Sequence, residues 1–210
     1  MPAPSLEATG HSETGGRAMS AGNGPESTGN ASDRLLMAQV RDGDPEALGR
    51  LIQRYWSPLL QFSYGFTSSQ DEAEDIVQET FVRIWKSRST WRPTGTVRSY
   101  LFTISRNLCL HREERRQVRD GWRDREQLRP RRAPSPLAHL EANEVLVALN
   151  QALEALPPRR REVFRLVCLQ GLSYRETAQV MEVAVPTVAN QMSAALASLR
   201  EAVGPITESV

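Results

Sequence analysis

Leu156 to Val203 reads LPPRRREVFRLVCLQGLSYRETAQVMEVAVPTVANQMSAALASLREAV. Its punctuation divides it into three helices. Pro158 opens the first, where its missing N–H costs nothing and its fixed φ suits the turn. Val163, Leu166 and Val167 give that helix an apolar side, and Gly171 stops it. Ser173-Tyr174-Arg175-Glu176 has the spacing of a capping box, which starts a short helix through Met181. After a brief turn a last helix begins near Pro186, with Val188, Met192, Ala195, Leu196 and Leu199 facing inward. Gly171 ahead of the pair, Ala178 at the crowded crossing and Val183 plugging the turn make this a helix-turn-helix, whose second helix enters the DNA major groove. Upstream, Val145, Leu146, Leu149 and Leu153 form another helix, ended by Leu156-Pro157-Pro158. The unit spans residues 144–203 and leaves 204–210 as a tail.

Further upstream lies a second set of helices. Asp44-Pro45 reads as an N-cap with Pro at the first helical position. Leu48, Leu51, Ile52, Tyr55 and Leu59 follow at helical spacing. Ser69-Gln70-Asp71-Glu72 fits a capping box and starts a helix with the stripe Ile76, Val77, Phe81, Ile84 and Trp85. The acids in its first turns suit the positive end of the helix dipole. Ser87 to Thr96 contains Pro93 and Gly95 and reads as a loop. A third helix follows, with Val97, Leu101, Ile104 and Leu108 inward. No stretch alternates as a strand does. The expected fold is all-α, with a first helical bundle over residues 33–112 and the second unit over 144–203.

Between them, residues 113–143 lose periodicity. Arg112 to Pro136 holds nine Arg against five acids. It reads either as a solvated linker with a helical extension at its start, or as a flexible basic strap along nucleic acid or through a larger machine. Residues 1–32 are rich in Gly, Ser, Ala, Thr and Pro and are expected to be disordered. Met19 is a candidate start.

Composition narrows the function. The 210-residue chain is 40% hydrophobic and 24% charged, enough for a core in part of the chain. No apolar run approaches the roughly 18 residues that span a bilayer, and no secretory signal is visible, so the cytoplasm is expected. The net charge of +1 conceals segregation. Asp71 to Glu79 holds five acids and no base, whereas Ser87 to Arg119 holds eight Arg against Glu113 and Glu114. That pattern suits one face for a protein partner and another for phosphate. Cys109 and Cys168 lie far apart in apolar patterns and read as small buried hydrophobes. With His11, His111 and His139 scattered, no zinc site forms. No paired carboxylates, nucleophile with base, or phosphate loop is visible, so neither catalytic residues nor a cofactor are expected.

The quoted C-terminal stretch resembles region 4 of the extracytoplasmic-function sigma factors. Leu156-Pro157-Pro158, Glu162-Val163, Gly171-Leu172-Ser173-Tyr174 and Thr187-Val188 stand where that family has its motif. DEAEDIVQETFVRIW (Asp71 to Trp85) resembles region 2.2, and YLFTISRNLCLHREERR (Tyr100 to Arg116) resembles regions 2.3 and 2.4. Together the resemblance covers nearly all of the chain after Asp33. It implies a sigma factor that confers promoter specificity on core RNA polymerase, contacting the clamp helices of the largest subunit and the flap region, with an anti-sigma factor as a further partner.

For the residues, the resemblance implies polymerase docking by Asp75, Gln78, Glu79 and Arg83. It implies -10 contacts by Trp91, Arg92, Arg98, Arg106, Asn107 and Arg112, with Trp91, Arg92 and Asn107 nearest a pocket for an extruded base. Core packing is the competing reading of Trp91 and Tyr100. It implies -35 contacts by Arg175, Thr187, Asn190, Gln191, Ser193 and Arg200. One departure stands out: Val185 to Leu199 carries no charge. Base reading must lean on Thr187, Asn190, Gln191 and Ser193, of which the Asn and Gln amides can pair bidentately with adenine. Phosphate anchoring falls to Arg159, Arg160, Arg161, Arg175 and Arg200. The rival readings are a helix-turn-helix regulator that acts without polymerase and a helical adaptor that sequesters polymerase.

Overall fold

The computed structural model describes residues 26–92, 94–121 and 144–207. Most of the expected N-terminal disorder (residues 1–25) and of the linker (residues 122–143) lies outside them. Among the described residues there are eight α helices and no strand.

The first lobe holds α1 (Glu26–Arg41), α2 (Pro45–Thr67), α3 (Gln70–Ser87) and α4 (Val97–Gly121). Asp44 caps α2 as its spacing predicts, accepting from the backbone N–H of Glu46 at 2.8 Å and of Ala47 at 3.3 Å. Ser69 Oγ caps α3 by accepting from Glu72 N at 3.4 Å. The predicted stripes turn inward: Leu51, Tyr55 and Leu59 of α2, Ile76, Val77, Phe81 and Ile84 of α3, and Val97, Leu101 and Leu108 of α4 are all buried. Phe62 sits edge-on to both Phe66 and Phe102, at 5.1 and 5.3 Å between ring centres, the geometry the ring quadrupole favours.

Two boundaries differ from the sequence expectation. α1 starts at Glu26, ahead of Asp33. Its anchor is Asp33 itself, buried and accepting from the Tyr55 hydroxyl and the Arg54 guanidinium. Burial, followed by the Asp33 carboxylate, holds the Tyr55 phenol well above its ordinary range. α4 runs past Arg112 to Gly121, because arginines on its later turns lie against acids of α3.

The second lobe holds α5 (Glu144–Ala155), α6 (Pro158–Phe164), a wider π-helical stretch (Arg165–Leu169), α7 (Tyr174–Met181) and α8 (Val185–Thr207). Gly171 terminates the third of these with φ +64°, the left-handed conformation that glycine adopts freely. The capping box of α7 is complete: Ser173 Oγ accepts from Glu176 N at 3.2 Å, and the Glu176 carboxylate accepts from Ser173 N at 3.0 Å. Ala178 is buried at the crossing, and Val183 packs on the core from the turn. Val188, Met192, Ala195 and Leu199 anchor α8.

The lobes are not separate beads. One apolar core runs from Phe62, Leu101 and Phe102 to Val163, Leu166 and Leu172, and α4 packs along α7.

Candidate nucleic-acid interface

α3 turns its apolar stripe inward and so leaves Asp75, Gln78 and Arg83 exposed and Glu79 half-buried. Three expected docking residues are already tied into an ion-pair ladder. Arg83 Nη2 lies 2.7 Å from Glu79 Oε1. Arg112 lies 3.6 Å from Asp75 and 3.7 Å from Glu79. One turn on, Arg116 lies 2.5 Å from Glu72. Arg112 therefore faces the acids of α3 rather than standing with Arg98 and Arg106. Its guanidinium also donates to the Glu72 carbonyl at 3.2 Å.

The six residues implicated at the -10 element are divided by the structure. Trp91 is 9% exposed and belongs to the apolar core, the packing alternative weighed for it. Arg92 and Asn107 are exposed at the two ends of the segment. Arg98 and Arg106 reach the second lobe. Arg98 donates to the carbonyls of Gln170 and Gly171, two acceptors left open where the π-helical stretch ends. Arg106 Nε lies 2.5 Å from Glu162 Oε1, with side chains 12% and 8% exposed. Tyr100 is half-buried, its hydroxyl 3.3 Å from Ser87 Oγ.

The helix-turn-helix keeps its candidate residues together. α8 is held by its apolar side, so Thr187, Asn190 and Ser193 face outward and Gln191 is half-buried beside them. Arg175 on α7 and Arg200 at the far end of α8 are both exposed. Arg159 is exposed and Arg160 half-buried at the start of α6. Arg161 takes a different place: it binds Glu154 at 2.9 Å and donates to the Leu156 carbonyl at 3.0 Å, closing α5 onto α6.

Sequence reading missed the residues that join the lobes. Glu162 is buried against Arg106. Arg165 donates to the Gly65 carbonyl of α2 and binds Glu154 at 2.9 Å. Burial lowers its pKa below the ordinary guanidinium value. Gln170 Nε2 donates to Gln61 Oε1 at 2.9 Å, and Thr96 Oγ1 donates to Glu176 Oε1 at 2.7 Å. One signal was present: Glu162 immediately precedes Val163 on the inward side of α6, so its carboxylate had to meet a cation or water.

Cys109 is buried between α2 and α4, and desolvation pushes its thiol up to about 12; Cys168 is exposed, against expectation, because it lies on the solvent side of the π-helical stretch. No group of residues able to hold a metal ion occurs among the described residues, and no described helix is long and apolar enough to cross a membrane.

The comparisons agree with this arrangement. Residues 51–127 match the family described as Sigma-70 region 2, and residues 146–199 match Sigma-70, region 4. The chain is 29% identical over 176 residues to the RNA polymerase sigma factor CnrH of Cupriavidus metallidurans, covering 80% of this chain and 92% of that protein. It is 33% identical over 144 residues to the ECF RNA polymerase sigma factor EcfG of Rhodopseudomonas palustris, covering 67% and 76%. Among solved structures, CnrH in complex with the cytosolic domain of CnrY matches with a TM-score of 0.60 at 29% identity, over 81% of this chain and 96% of that one. The sigma factor RpoE in complex with the anti-sigma factor NepR from Bartonella quintana matches in fold, with a TM-score of 0.61 at 24% identity, over 74% and 96%. A helix-turn-helix regulator working without polymerase would leave the region 2 match unexplained. The chain belongs to the extracytoplasmic-function subfamily of sigma-70 family RNA polymerase sigma factors, and its function is in transcription initiation.

Proposed function

We propose that the chain guides core RNA polymerase to promoters through three surfaces. The exposed side of α3, with Asp75, Gln78, Glu79 and Arg83, docks on the clamp helices of the largest subunit. Carboxylates there exchange their weak intramolecular pairs for charge-assisted bonds to a basic partner helix. The segment from Arg92 through α4 holds the opened -10 element, with Arg92, Arg98, Arg106 and Asn107 meeting backbone and unpaired bases. α8 reads the -35 element through Thr187, Asn190, Gln191 and Ser193 while the second lobe rests on the flap. Arg159, Arg175 and Arg200 anchor phosphates, which positions α8 without reading sequence.

The observation that carries this reading is the outward polar strip of α8, held against the lobe by Val188, Met192 and Ala195, with Arg175 and Arg200 exposed on the same lobe. It has the form needed for a helix seated in a major groove. The chain supplies binding and strand capture, and nucleotidyl transfer belongs to polymerase in the cytoplasm. An anti-sigma protein is the natural antagonist, since two of the similar structures are complexes described with CnrY and with the anti-sigma factor NepR.

Run-off transcription from a library randomised at both promoter elements tests the reading. Core polymerase with this chain is expected to enrich templates sharing two motifs at one spacing. Enrichment no greater than with core alone contradicts it.

A further inference from the structure

Arg34 is exposed on α1, and its Nη2 donates to the backbone carbonyl of Gly95 at 3.2 Å, across 61 positions of sequence. α1 has firmer holds than this bond. Asp33, one residue earlier, is buried and ties α1 to α2 through Tyr55 and Arg54. Leu36, Met37 and Val40 seat the same helix in the core. One exposed hydrogen bond adds little to a helix anchored in this way. The side that gains from it is the segment from Trp91 to Thr96, between a 3-10 turn (Arg88–Thr90) and the start of α4.

That segment is held at both ends. At the first, the Trp91 ring is buried and its N–H donates to the Arg88 carbonyl at 3.3 Å. At the second, Thr96 Oγ1 accepts from Ser99 N at 3.0 Å, as an N-cap of α4 does. Between the ends, Thr94 N–H donates to the Arg92 carbonyl at 2.9 Å and closes a tight turn. Arg92 and Thr94 stand exposed on that turn. Gly95 joins the turn to the cap of α4, and glycine is the residue about which a backbone pivots most freely. The Arg34 guanidinium takes the carbonyl at this pivot, from a helix that is itself fixed.

We propose that Arg34 is a positioning residue for base selection at the -10 element: braced by Asp33, it fixes the Gly95 carbonyl and so the angle at which Arg92 and Thr94 meet an unpaired base. The proposal rests on the reading of the segment from Arg92 through α4 as the -10 surface. It adds a residue of α1 that touches no DNA and acts only through the turn. Selection between bases needs directional contacts held in place before the base arrives, because ordering a loose loop draws on the same free energy for every base. A charged donor on a backbone carbonyl supplies that hold whatever the side chains of the turn are.

Two measurements on the full chain test it. The first leaves DNA out. Hydrogen exchange followed by mass spectrometry reads the peptide that contains Thr94, whose amide is bonded within the turn. Arg34→Ala is expected to speed exchange there about fivefold and to leave the α2 and α3 peptides and the melting temperature as in the parent. Arg34→Lys, which keeps a cationic donor, is expected to restore most of the protection. Exchange unchanged by Arg34→Ala overturns the positioning, whatever the DNA measurement gives.

The second selects transcribed templates from a library randomised at the -10 element only, with core polymerase and each variant. Arg34→Ala is expected to flatten base preference about fivefold at one -10 position, with co-purification on polymerase unchanged, and Arg34→Lys is expected to recover it. Arg92→Ala with Thr94→Ala is expected to flatten the same position, and adding Arg34→Ala to that pair should cost nothing more, since a residue that works through the turn is silent once the turn is stripped. A further loss in the triple variant means that Arg34 acts on DNA directly and overturns the proposal. A parental preference in Arg34→Ala, with a flattened one in the Arg92 and Thr94 pair, removes Arg34 and keeps the -10 reading. A parental preference in that pair removes the turn from the -10 surface, and the proposal falls with that reading.

Discussion

The two lobes handle charge in opposite ways. On the first, α3 and α4 face each other with a ladder of Glu72, Asp75 and Glu79 against Arg112 and Arg116. On the second, the exposed polar strip of α8 carries no charge between Val185 and Leu199. A surface of half-paired charges suits exchange of partners, because exposed ion pairs hold by about 0–1 kcal/mol and are readily traded. A neutral strip of Thr, Asn, Gln and Ser suits discrimination, because its hydrogen bonds are directional and the lobe is not drawn to every phosphate. The comparison teaches that the two lobes expose different chemistry, which the proposed function assigns to capture on the first and reading on the second.

The strongest way to break the comparison is to invert the charged side. Asp75→Lys with Glu79→Lys is expected to abolish co-purification with core polymerase while the circular dichroism spectrum stays helical. Retained association would remove α3 from the docking face. Next in size is Trp91. Its burial in the core predicts that Trp91→Ala lowers unfolding stability by about 3 kcal/mol, measured by urea titration. A loss below about 1 kcal/mol would mean that the ring is free for a base and that the packing reading is wrong.

The neutral side predicts a smaller and more selective effect. Asn190→Ala with Gln191→Ala is expected to lose about 1–3 kcal/mol of discrimination at one -35 position, with the salt dependence of promoter binding unchanged, since no phosphate contact is removed. A uniform loss on all sequences would make these residues anchors instead of readers.

The smallest expected effect separates the cysteines. At pH 8 a thiol reagent is expected to modify Cys168 promptly and Cys109 only on unfolding. Because burial raises Cys109 from 9.0 to about 12, the folded state retains the proton that the unfolded chain loses. Its contribution to stability is complete below pH 9.0 and declines as pH rises toward about 12. Rapid labelling of both thiols in the native protein would contradict the packing of α4 on α2.

Much of the fold was legible because local signals agreed. Asp44-Pro45, Ser69 and the Ser173–Glu176 box placed three helix starts, and apolar stripes at helical spacing named most of the core. What escaped depends on distant partners. The helical extension past Arg112 was foreseen, but not its length or its cause, which is that Arg112 and Arg116 meet α3 acids. Trp91 read as a base-stacking ring because a buried and an exposed Trp in a loop look alike in sequence. The joining of the lobes was invisible for the same reason. Arg98 binds backbone carbonyls, which every residue has, and the partner of Arg106 is 56 positions away. The polar strip of α8 was the most legible part of the candidate site, because burial of every third or fourth residue leaves only one face for it.

The division of labour is tested most directly by footprinting one selected promoter with the polymerase complex, using permanganate for unpaired thymines and nuclease protection for the upstream duplex. Arg98→Ala with Arg106→Ala is expected to erase permanganate reactivity at the -10 element and leave the -35 protection in place. Asn190→Ala with Gln191→Ala is expected to weaken that protection first. If either pair of substitutions removes both signals together and to the same extent, the lobes do not act separately and the account is contradicted.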